Sequence, residues 1–375
     1  MSLFTSSSRI IITCSKRMPD YLEREVIELG YTVLRKFATG VELKGTVNDC
    51  IRLNLNLRCA SQVLYSLFEL KVENSEDLYK KLLNHPWEKM ISNKGYISVT
   101  SHVNHFTVNN PLFVNVKVKD AIVDRMRRYT ESRPDSGSDQ SGLVIHVYWK
   151  EDHTEVFLDT SGESAAKHGY RKIPGLAPMI EALASATIMA TKWDRKSPFV
   201  NPMCGSSTIA IEAVLIATNR RPGLFRTNYS FMHVLGYDDS FYSQEYRKLE
   251  DQIINVPGLK VIATDISENA INISKINAGI AGVEKLIEFH VCDFEATPLP
   301  PSPGVVYFNP EYGERLGDVA ELEETYARMG DFLKKKCQGY LGYIFTGNLE
   351  LAKKIGLKAS RRIEFYTAQI DCRLL

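Results

Sequence analysis

Phe199-Val200-Asn201-Pro202-Met203-Cys204-Gly205-Ser206-Ser207-Thr208 decides the fold of this chain. A short apolar strand runs into a glycine turn and then straight into an apolar helix over 206–218. The same unit recurs downstream: Val261–Asp265 before a helix at 268–279, Ile287–Asp293, Val305–Asn309 before a helix at 319–336, and Tyr340–Phe345 before a helix at 349–355. Lys358–Tyr366 and Gln369–Leu374 read as closing strands, and a helix over Met179–Trp193 precedes the first unit. Strands alternating with helices predict a mostly parallel sheet covered on both faces. In such sheets ligands lie beyond the carboxyl ends of the strands, so the first residue after each strand is the place to look for chemistry.

Upstream the rhythm is α+β. Strands are expected at Arg9–Cys14, within Tyr31–Thr46, at Val63–Val72 and Ile97–Val103, and as a hairpin of Leu143–Lys150 with Thr154–Leu158. Pro19 opens a helix that Gly30 closes; Asn48 or Asp49 caps one running through Ile51, Leu55 and Arg58; Ser75 caps another bearing Leu78, Leu82 and Leu83. Val118, Ile122, Met126 and Tyr129 form the apolar stripe of a further helix. Gly162–Pro178, rich in Gly, Pro and Lys, reads as an inter-domain linker.

The chain has 375 residues with Lys+Arg 46 against Asp+Glu 45, so no global field advertises a polyanionic partner. At about 150 residues per domain this is two to three domains. Seven cysteines form no C-x-x-C pair, and none stands near a histidine at zinc spacing. The expectation is reduced thiols, no metal site, no disulfide framework and a cytoplasmic protein. The apolar run Ile10-Ile11-Ile12 is too short for a signal-peptide core, and nothing approaches the roughly 20 apolar residues of a membrane span.

The strand ends hold the candidates. Gly205 lets backbone approach a ligand closely, and Ser206, Ser207 and Thr208 can cap the helix or donate hydrogen bonds. Alone, Gly-Ser-Ser is more often a plain turn and cap. Neither G-x-x-x-x-G-K-[ST] nor G-x-G-x-x-G is present. Asp265 can accept both hydroxyls of a ribose, or it or Ser267 can cap the next helix. An insertion over about 219–258 separates it from the glycine turn. Asp293 can meet an adenine amino group. Asn309-Pro310-Glu311-Tyr312-Gly313-Glu314-Arg315-Leu316 is the informative motif. The Asn309 side-chain oxygen and the Pro310 carbonyl are adjacent acceptors for the two hydrogens of an exocyclic amine. Tyr312 offers a face for a base taken out of its stack, a contact worth roughly 1–3 kcal/mol. Read alone, the motif is also a proline turn with a packed tyrosine.

Taken together these stretches resemble the THUMP-domain RNA methyltransferases that use S-adenosylmethionine to methylate N2 of a guanine in 23S rRNA. The resemblance spans nearly the whole chain. It rests on Lys119-Asp120-Ala121-Ile122-Val123-Asp124-Arg125, Asp159-Thr160-Ser161-Gly162-Glu163-Ser164, Lys167-His168-Gly169-Tyr170-Arg171, Asn201–Thr208, Arg221-Pro222-Gly223-Leu224 and Asn309–Leu316. It implies a ferredoxin-like region at 1–60, a THUMP RNA-binding domain at 61–162, a linker at 163–178 and a seven-stranded Rossmann-like methyltransferase domain at 179–375. It also implies S-adenosylmethionine as cofactor. Gly205 and its neighbours Asn201, Met203 and Thr208 would serve its methionine end, Asp265 its ribose and Asp293 its adenine, with Ile266 and Phe294 also cofactor-binding. Asn309, Pro310 and Tyr312 would be catalytic, and the partner would be 23S rRNA or a large-subunit precursor. Some relatives carry a second methyltransferase domain; with the chain ending at Leu375, a single activity is expected.

This sequence departs from the family pattern at several places. Asn201 replaces an acid, Ser207 a second glycine, Glu311 a second proline and His168 a basic residue; Ile180 and Ala182 also differ. A side chain at Ser207 is expected to crowd the cofactor, and Glu311 to loosen the catalytic turn. Phosphate contacts are expected from Lys117, Lys119, Arg125, Arg128 and Arg133, with Arg127 beside them, and from Lys167 and Arg171 with His168 and Lys172. Such a charge run is also what a solvated helix face looks like. The alternatives to guanine-N2 methylation are adenine-N6 methylation of RNA or DNA and an RNA-binding protein whose methyltransferase half has decayed.

Overall fold

The computed structural model describes residues 2–106, 108, 110–173, 178–313, 319–367 and 370–375, the side chains of Val319 and Ala320 excepted. The first half runs β1 (Ser8–Thr13), α1 (Pro19–Glu28), β2 (Arg35–Phe37), β3 (Gly40–Gly45), α2 (Val47–Asn56), β4 (Gln62–Lys71) and α3 (Ser75–Leu83). It continues with β5 (Tyr96–Asn104), α4 (Pro111–Thr130), β6 (Asp135–Ser136), β7 (Leu143–Lys150) and β8 (His153–Asp159). The second half begins α5 (Glu181–Ala190), β9 (Phe199–Pro202), α6 (Thr208–Ala217), α7 (Asp239–Asp251), β10 (Val261–Asp265) and α8 (Glu268–Ile280). It ends β11 (Ile287–Val291), β12 (Gly304–Phe308), α9 (Val319–Lys335), β13 (Tyr340–Thr346), α10 (Leu349–Lys354), β14 (Ile363–Thr367) and β15 (Ile370–Leu374).

The chain divides into two compact units: Met1–Cys14, Leu22–Ala165 and Arg226–Lys248 in one; Ser15–Tyr21, Ala166–Phe225 and Leu249–Leu375 in the other. The first is built on an eight-stranded sheet of order β2-β3-β1-β4-β8-β7-β5-β6. Alternation of burial follows the pleat. Ile10, Ile12, Val41, Leu43 and Val63 are essentially inaccessible, whereas Arg9, Glu42 and Lys44 are not. Part of the expected insertion belongs here. Arg226 Nη2 donates to the carbonyls of Ser161 (3.0 Å) and Glu163 (2.9 Å), and the Val144 amide donates to Ser230 Oγ (2.8 Å).

The second unit carries a seven-stranded sheet of order β11-β10-β9-β12-β13-β15-β14. β9 to β13 are parallel, and β15 runs antiparallel to β13 and β14. The order reverses at β9, with β10 and β11 on one side and β12 and β13 on the other. That reversal opens a crevice at the carboxyl ends of β9 and β12. Val200, Ile262, Val306, Phe308, Tyr326, Met329 and Phe332 form the core beneath it. Each such side chain contributes roughly 1.5–3 kcal/mol by leaving water.

Several local expectations are corrected. The cap of α2 is Thr46, neither Asn48 nor Asp49: Thr46 Oγ1 accepts from the Asp49 amide (3.2 Å) while the Asp49 carboxylate accepts from the Thr46 amide (2.8 Å). Asn74, not Ser75, caps α3. Val118, Ile122 and Met126 are buried as expected, but Tyr129 is 61% exposed and gives its ring face to the Arg125 guanidinium at 3.5 Å. The expected linker is packed rather than free where it is described: Ala165, His168 and Tyr170 are buried. Its residues 174–177 lie outside the described residues.

Candidate active site

The site residues expected at the ends of β9, β10, β11 and β12 all fall in the second unit. The turn after β9 is shaped by three left-handed residues in alternation, Met203 (φ 53°), Gly205 (φ 56°) and Ser207 (φ 58°). Two of them carry side chains, which is uncommon and costs of order 1 kcal/mol each. Backbone bonds hold the shape: the Cys204 amide donates to the Thr264 carbonyl (2.9 Å) and the Ser207 amide to the Cys204 carbonyl (2.8 Å). The Gly205 amide donates to Asp265 Oδ2 (2.9 Å), and a Cβ added at Gly205 would meet nothing within 4 Å. The turn thus presents bare backbone to open space.

Asp265 and Ser267 divide the two roles left open by the sequence. Ser267 caps α8, its Oγ accepting from the Ala270 amide (3.3 Å), while Asp265 ties the glycine turn and accepts from the Ser267 amide (3.0 Å). Ile266 beside it is 74% exposed. Thr208 begins α6 and is buried; Ser207 stands at the cap position but makes no side-chain cap bond. Its Oγ instead donates to Ser274 Oγ (2.8 Å), which donates to the Gly205 carbonyl (2.9 Å). The expected crowding at Ser207 is therefore corrected: the hydroxyl is buried against Ser274. The left-handed φ accounts for the glycine expected there.

Asn201 is buried, and its Nδ2 donates to the Tyr307 carbonyl (2.9 Å). Its Oδ1 is buried with no hydrogen-bond partner. A buried acceptor left unpaired costs roughly 1–3 kcal/mol, so this atom is poised for a donor from a ligand. With the open Gly205 backbone and Asp265, the end of β9 suits a small polar cofactor.

Asp293 accepts from the Glu295 amide (2.9 Å) and pairs with Arg328 Nη2 (2.9 Å), which also reaches Glu295 Oε2 (2.8 Å). Burial pushes the Asp293 carboxyl upward, but the Glu295 amide and the Arg328 guanidinium outweigh it and hold it below the usual carboxylate value. Arg328 carried no signal in the sequence, since it lies far along α9 with no motif around it. Phe294 is corrected from a cofactor contact to a core side chain: it is 6% exposed and packs edge-on against Phe308 and Phe332, with the Arg328 guanidinium 4.8 Å from its ring centre.

After β12, Asn309 is half-buried, Pro310 buried, Glu311 exposed and Tyr312 half-buried. The turn is anchored from outside the motif. Tyr326 Oη donates to the Glu311 carbonyl (3.2 Å) and lies 2.9 Å from Thr346 Oγ1; Asn348 Nδ2 donates to the Tyr312 carbonyl (3.4 Å). A Cβ on Gly347 would stand 3.1 Å from the Tyr312 ring, so only glycine leaves the ring its seat. Tyr326, Gly347 and Asn348 carried no signal in the sequence, being 15 to 36 residues from the motif residue that each one contacts. Glu314, Arg315 and Leu316 of the motif lie outside the described residues.

The cations separate into two groups. Arg125 is only 12% exposed and holds Glu88 through two bonds (2.9 and 2.6 Å). Arg171 is 10% exposed, bonded to Glu181 (2.6 Å) and the Met179 carbonyl (3.0 Å), and His168 is fully buried against Glu212 (2.8 Å). These three are corrected to internal partners. Arg127, Arg128, Arg133 and Lys167 are exposed. Lys117 and Lys119 keep partial exposure beside Glu76 and Asp120 (3.4 Å each). Among the described residues, the group with metal-ligand spacing is Glu69, His153 and Glu155. The Arg9 guanidinium already occupies Glu155 at 2.7 Å and disfavours a second cation there.

A reversed parallel sheet with one antiparallel strand, a bare glycine turn over a carboxylate and an Asn-Pro-x-Tyr turn at the end of the neighbouring strand define a Rossmann-like methyltransferase. Residues 168–375 match the RMKL-like methyltransferase domain, 9–64 the RlmL ferredoxin-like domain and 72–159 the THUMP domain. The chain belongs to the RMKL-like methyltransferase family. It is 32% identical to the ribosomal RNA large subunit methyltransferase K/L of Syntrophotalea carbinolica over 379 residues, which cover 98% of this chain and 53% of that protein. The chain thus spans about half the length of the curated relatives it matches. The crystal structure of SMU.472 complexed with SAH superposes with a TM-score of 0.86 at 25% identity, covering 99% of this chain and 97% of that one. That of a predicted N6-adenine-specific DNA methylase from Listeria monocytogenes gives 0.84 at 28% identity, covering 98% and 96%.

Proposed function

We propose that this protein transfers the methyl group of S-adenosylmethionine to the exocyclic N2 amine of a guanine in 23S rRNA, in the cytoplasm. The observation that carries the reading is the pairing of the two strand ends: β9 and β12 are parallel neighbours in register (Val305 with Phe199, Val306 with Val200), so the Gly205 turn and Asn309-Pro310 open onto one crevice. The named relatives act on large-subunit rRNA, and SMU.472 was solved with the demethylated cofactor. The proposed division is ferredoxin-like 1–60, THUMP 61–162, a connecting segment 163–178 and methyltransferase 179–375, with Arg226–Lys248 reaching back to the first unit.

Bound S-adenosylmethionine would supply an electrophilic methyl on a sulfonium. Asn201 Oδ1 and the Gly205 turn would hold its methionine end, Asp265 and Ile266 its ribose, and Asp293 its adenine. The guanine amine is a poor nucleophile because its lone pair is delocalised into the ring. Asn309 Oδ1 and the Pro310 carbonyl would accept its two hydrogens, favouring a pyramidal nitrogen with the lone pair turned toward the methyl. Tyr312 would hold the extruded base by its face. Catalysis is then mostly positioning and fixed dipoles. The amine becomes acidic only once methylated, so no strong base is needed to remove its proton.

The relative titled as an adenine-N6 enzyme favours a second reading, in which the same pair of acceptors grips the adenine amine. Calorimetric titration with the demethylated cofactor, followed by mass mapping of methylated nucleosides in 23S rRNA from cells with and without the gene, separates the readings. Loss of one N2-methylguanosine supports the proposal. Loss of N6-methyladenosine selects the second reading, and absence of cofactor binding selects a decayed enzyme.

A further inference from the structure

The segment Ser15–Tyr21 follows β1 in the chain yet belongs to the methyltransferase unit. It is pinned there by the buried Met18 and by Tyr21, whose ring stacks on Phe365 of β14 (5.6 Å, 19° between planes). This anchoring leaves Lys16 and Arg17 exposed on the outer face of the β14–β15 hairpin. Lys16 Nζ lies 5.2 Å from the centre of the half-buried Tyr366 ring, and Arg17 Nη2 pairs with Glu364 (3.0 Å). Arg17 holds a left-handed φ of 69°, unusual for a side chain of that size. Arg361 and Arg362, both exposed, lead into the same strand.

The charge balance is lopsided. Glu364 is held by Arg17 and also approached by Arg373 (3.5 Å), and Asp371 lies 3.8 Å from Arg373. Among the described residues no carboxylate pairs with Lys16, Arg361 or Arg362. On its other face the hairpin reaches the catalytic turn: a Cβ on Gly347 would meet Ile370 of β15 at 2.8 Å and the Tyr312 ring at 3.1 Å. Tyr366 faces opposite Ile370 because Tyr366 pairs with Asp371 and Thr367 with Ile370, and successive side chains alternate. Lys16 therefore sits on the face of the hairpin opposite Ile370, and Ile370 shares the surroundings of Gly347 with the Tyr312 ring.

We propose that Lys16, Arg361, Arg362 and the Tyr366 ring form a second RNA contact, which grips the phosphates and one unpaired base flanking the target nucleotide. The inference rests on the rRNA reading above. It places a contact in the methyltransferase unit itself, on residues other than the α4 cations and those of the 163–178 segment. An unpaired base stacks on an aromatic ring and its strand needs cations nearby, and this hairpin supplies a half-buried ring beside Lys16 with Arg361 and Arg362 exposed ahead of it. A target nucleotide held at Tyr312 has neighbours on each side, and one of them must cross the hairpin or the opposite rim. Phosphate contacts here would fix which nucleotide enters the pocket without reading its sequence.

The test uses the full chain carrying Lys16→Gln, Arg361→Gln and Arg362→Gln together, and separately Tyr366→Leu. The probe is a 23S rRNA transcript. The triple variant should bind the transcript about 10-fold more weakly near physiological salt and lose about 2 from the slope of log affinity against log salt. Its affinity for the demethylated cofactor should stay within about twofold, because none of these residues faces the Gly205 turn. Tyr366→Leu should raise KM for RNA, and ultraviolet cross-links in the wild type should map to the peptide holding Tyr366. An unchanged salt slope and RNA affinity in the triple variant, with no cross-link at the Tyr366 peptide of a wild type that still methylates RNA, would overturn this contact alone. A wild type that binds cofactor yet neither binds nor methylates RNA would overturn the rRNA reading and this contact with it. Restored binding of a protein partner rather than RNA to the hairpin, lost in the triple variant, would likewise overturn it.

Discussion

The two halves of the crevice are built in opposite ways. The turn after β9 is held by its own backbone and by the next strand: the Cys204, Gly205 and Ser207 amides each have a partner at 2.8–2.9 Å, and no remote side chain is required beyond Asp265 and Ser274. The turn after β12 is held by groups brought from α9 and from the segment after β13, namely Tyr326, Gly347 and Asn348. A backbone-built turn is rigid before anything binds, as a cofactor cradle should be. A turn held by distant side chains can be tuned, and disabled, without touching the cofactor.

The most severe break should come at Asn309. Asn309→Ala removes one of the two acceptors and is expected to lower turnover at least about 1,000-fold, comparable to losing an electrostatic stabiliser at other reacting centres. Calorimetry should find cofactor affinity within about twofold of wild type, since Asn309 belongs to the other turn. Retained turnover would reject the acceptor pair.

Tyr326→Phe comes next. It deletes the hydroxyl that joins the Glu311 carbonyl to Thr346 while keeping the buried ring. The expected loss is about 1 kcal/mol of stability, read by denaturant titration, because the Glu311 carbonyl loses its donor while Thr346 Oγ1 keeps the bond from the Asn348 amide. Turnover should fall about 10-fold with unchanged cofactor affinity, which separates the catalytic turn from the cradle.

Arg328→Gln probes the cofactor side through charge. Removing the guanidinium leaves burial opposed by the Glu295 amide alone, so the Asp293 carboxyl moves upward. The wild-type carboxyl is held low, so binding that needs the carboxylate persists as pH falls and is lost only through that lowered value. In the variant the loss should begin at higher pH. Affinity for the demethylated cofactor, measured from about pH 7 down to about pH 3, should show the acid limb moving upward. An unmoved limb would remove Asp293 from the adenine site.

The mildest change is Gly205→Ala. Nothing lies within 4 Å of the added Cβ, so the cost is the left-handed backbone alone, about 1 kcal/mol. Cofactor affinity should drop several-fold with turnover at saturation preserved, the mirror image of Tyr326→Phe.

Legibility divides along the same line. The strand–turn–helix units were readable because period and composition are local: β9, β10, β12 and β13 fall within two residues of their expected bounds. Asp265, Asp293, Asn309 and Tyr312 were reachable because strand ends are where such sheets place ligands. Caps were harder. Thr46 lies two or three residues before the residues expected to cap and Asn74 one before, since several polar residues in a row can all play that part. The cations misled most. Arg125, His168 and Arg171 look like surface charges in sequence, and only the fold supplies Glu88, Glu212 and Glu181.

The sequence alone determined the parallel sheet, the positions of the two strand-end turns and the family resemblance, because these depend on neighbours a few residues apart. Tertiary structure alone decided which cations face outward, that Ser207 turns its hydroxyl to Ser274, that Arg226–Lys248 leaves its own half, and that Lys16 stands over Tyr366. Each of those facts is a pairing between residues far apart in the chain. Burial and Coulomb attraction act through space, and no local pattern records which distant partner they will select.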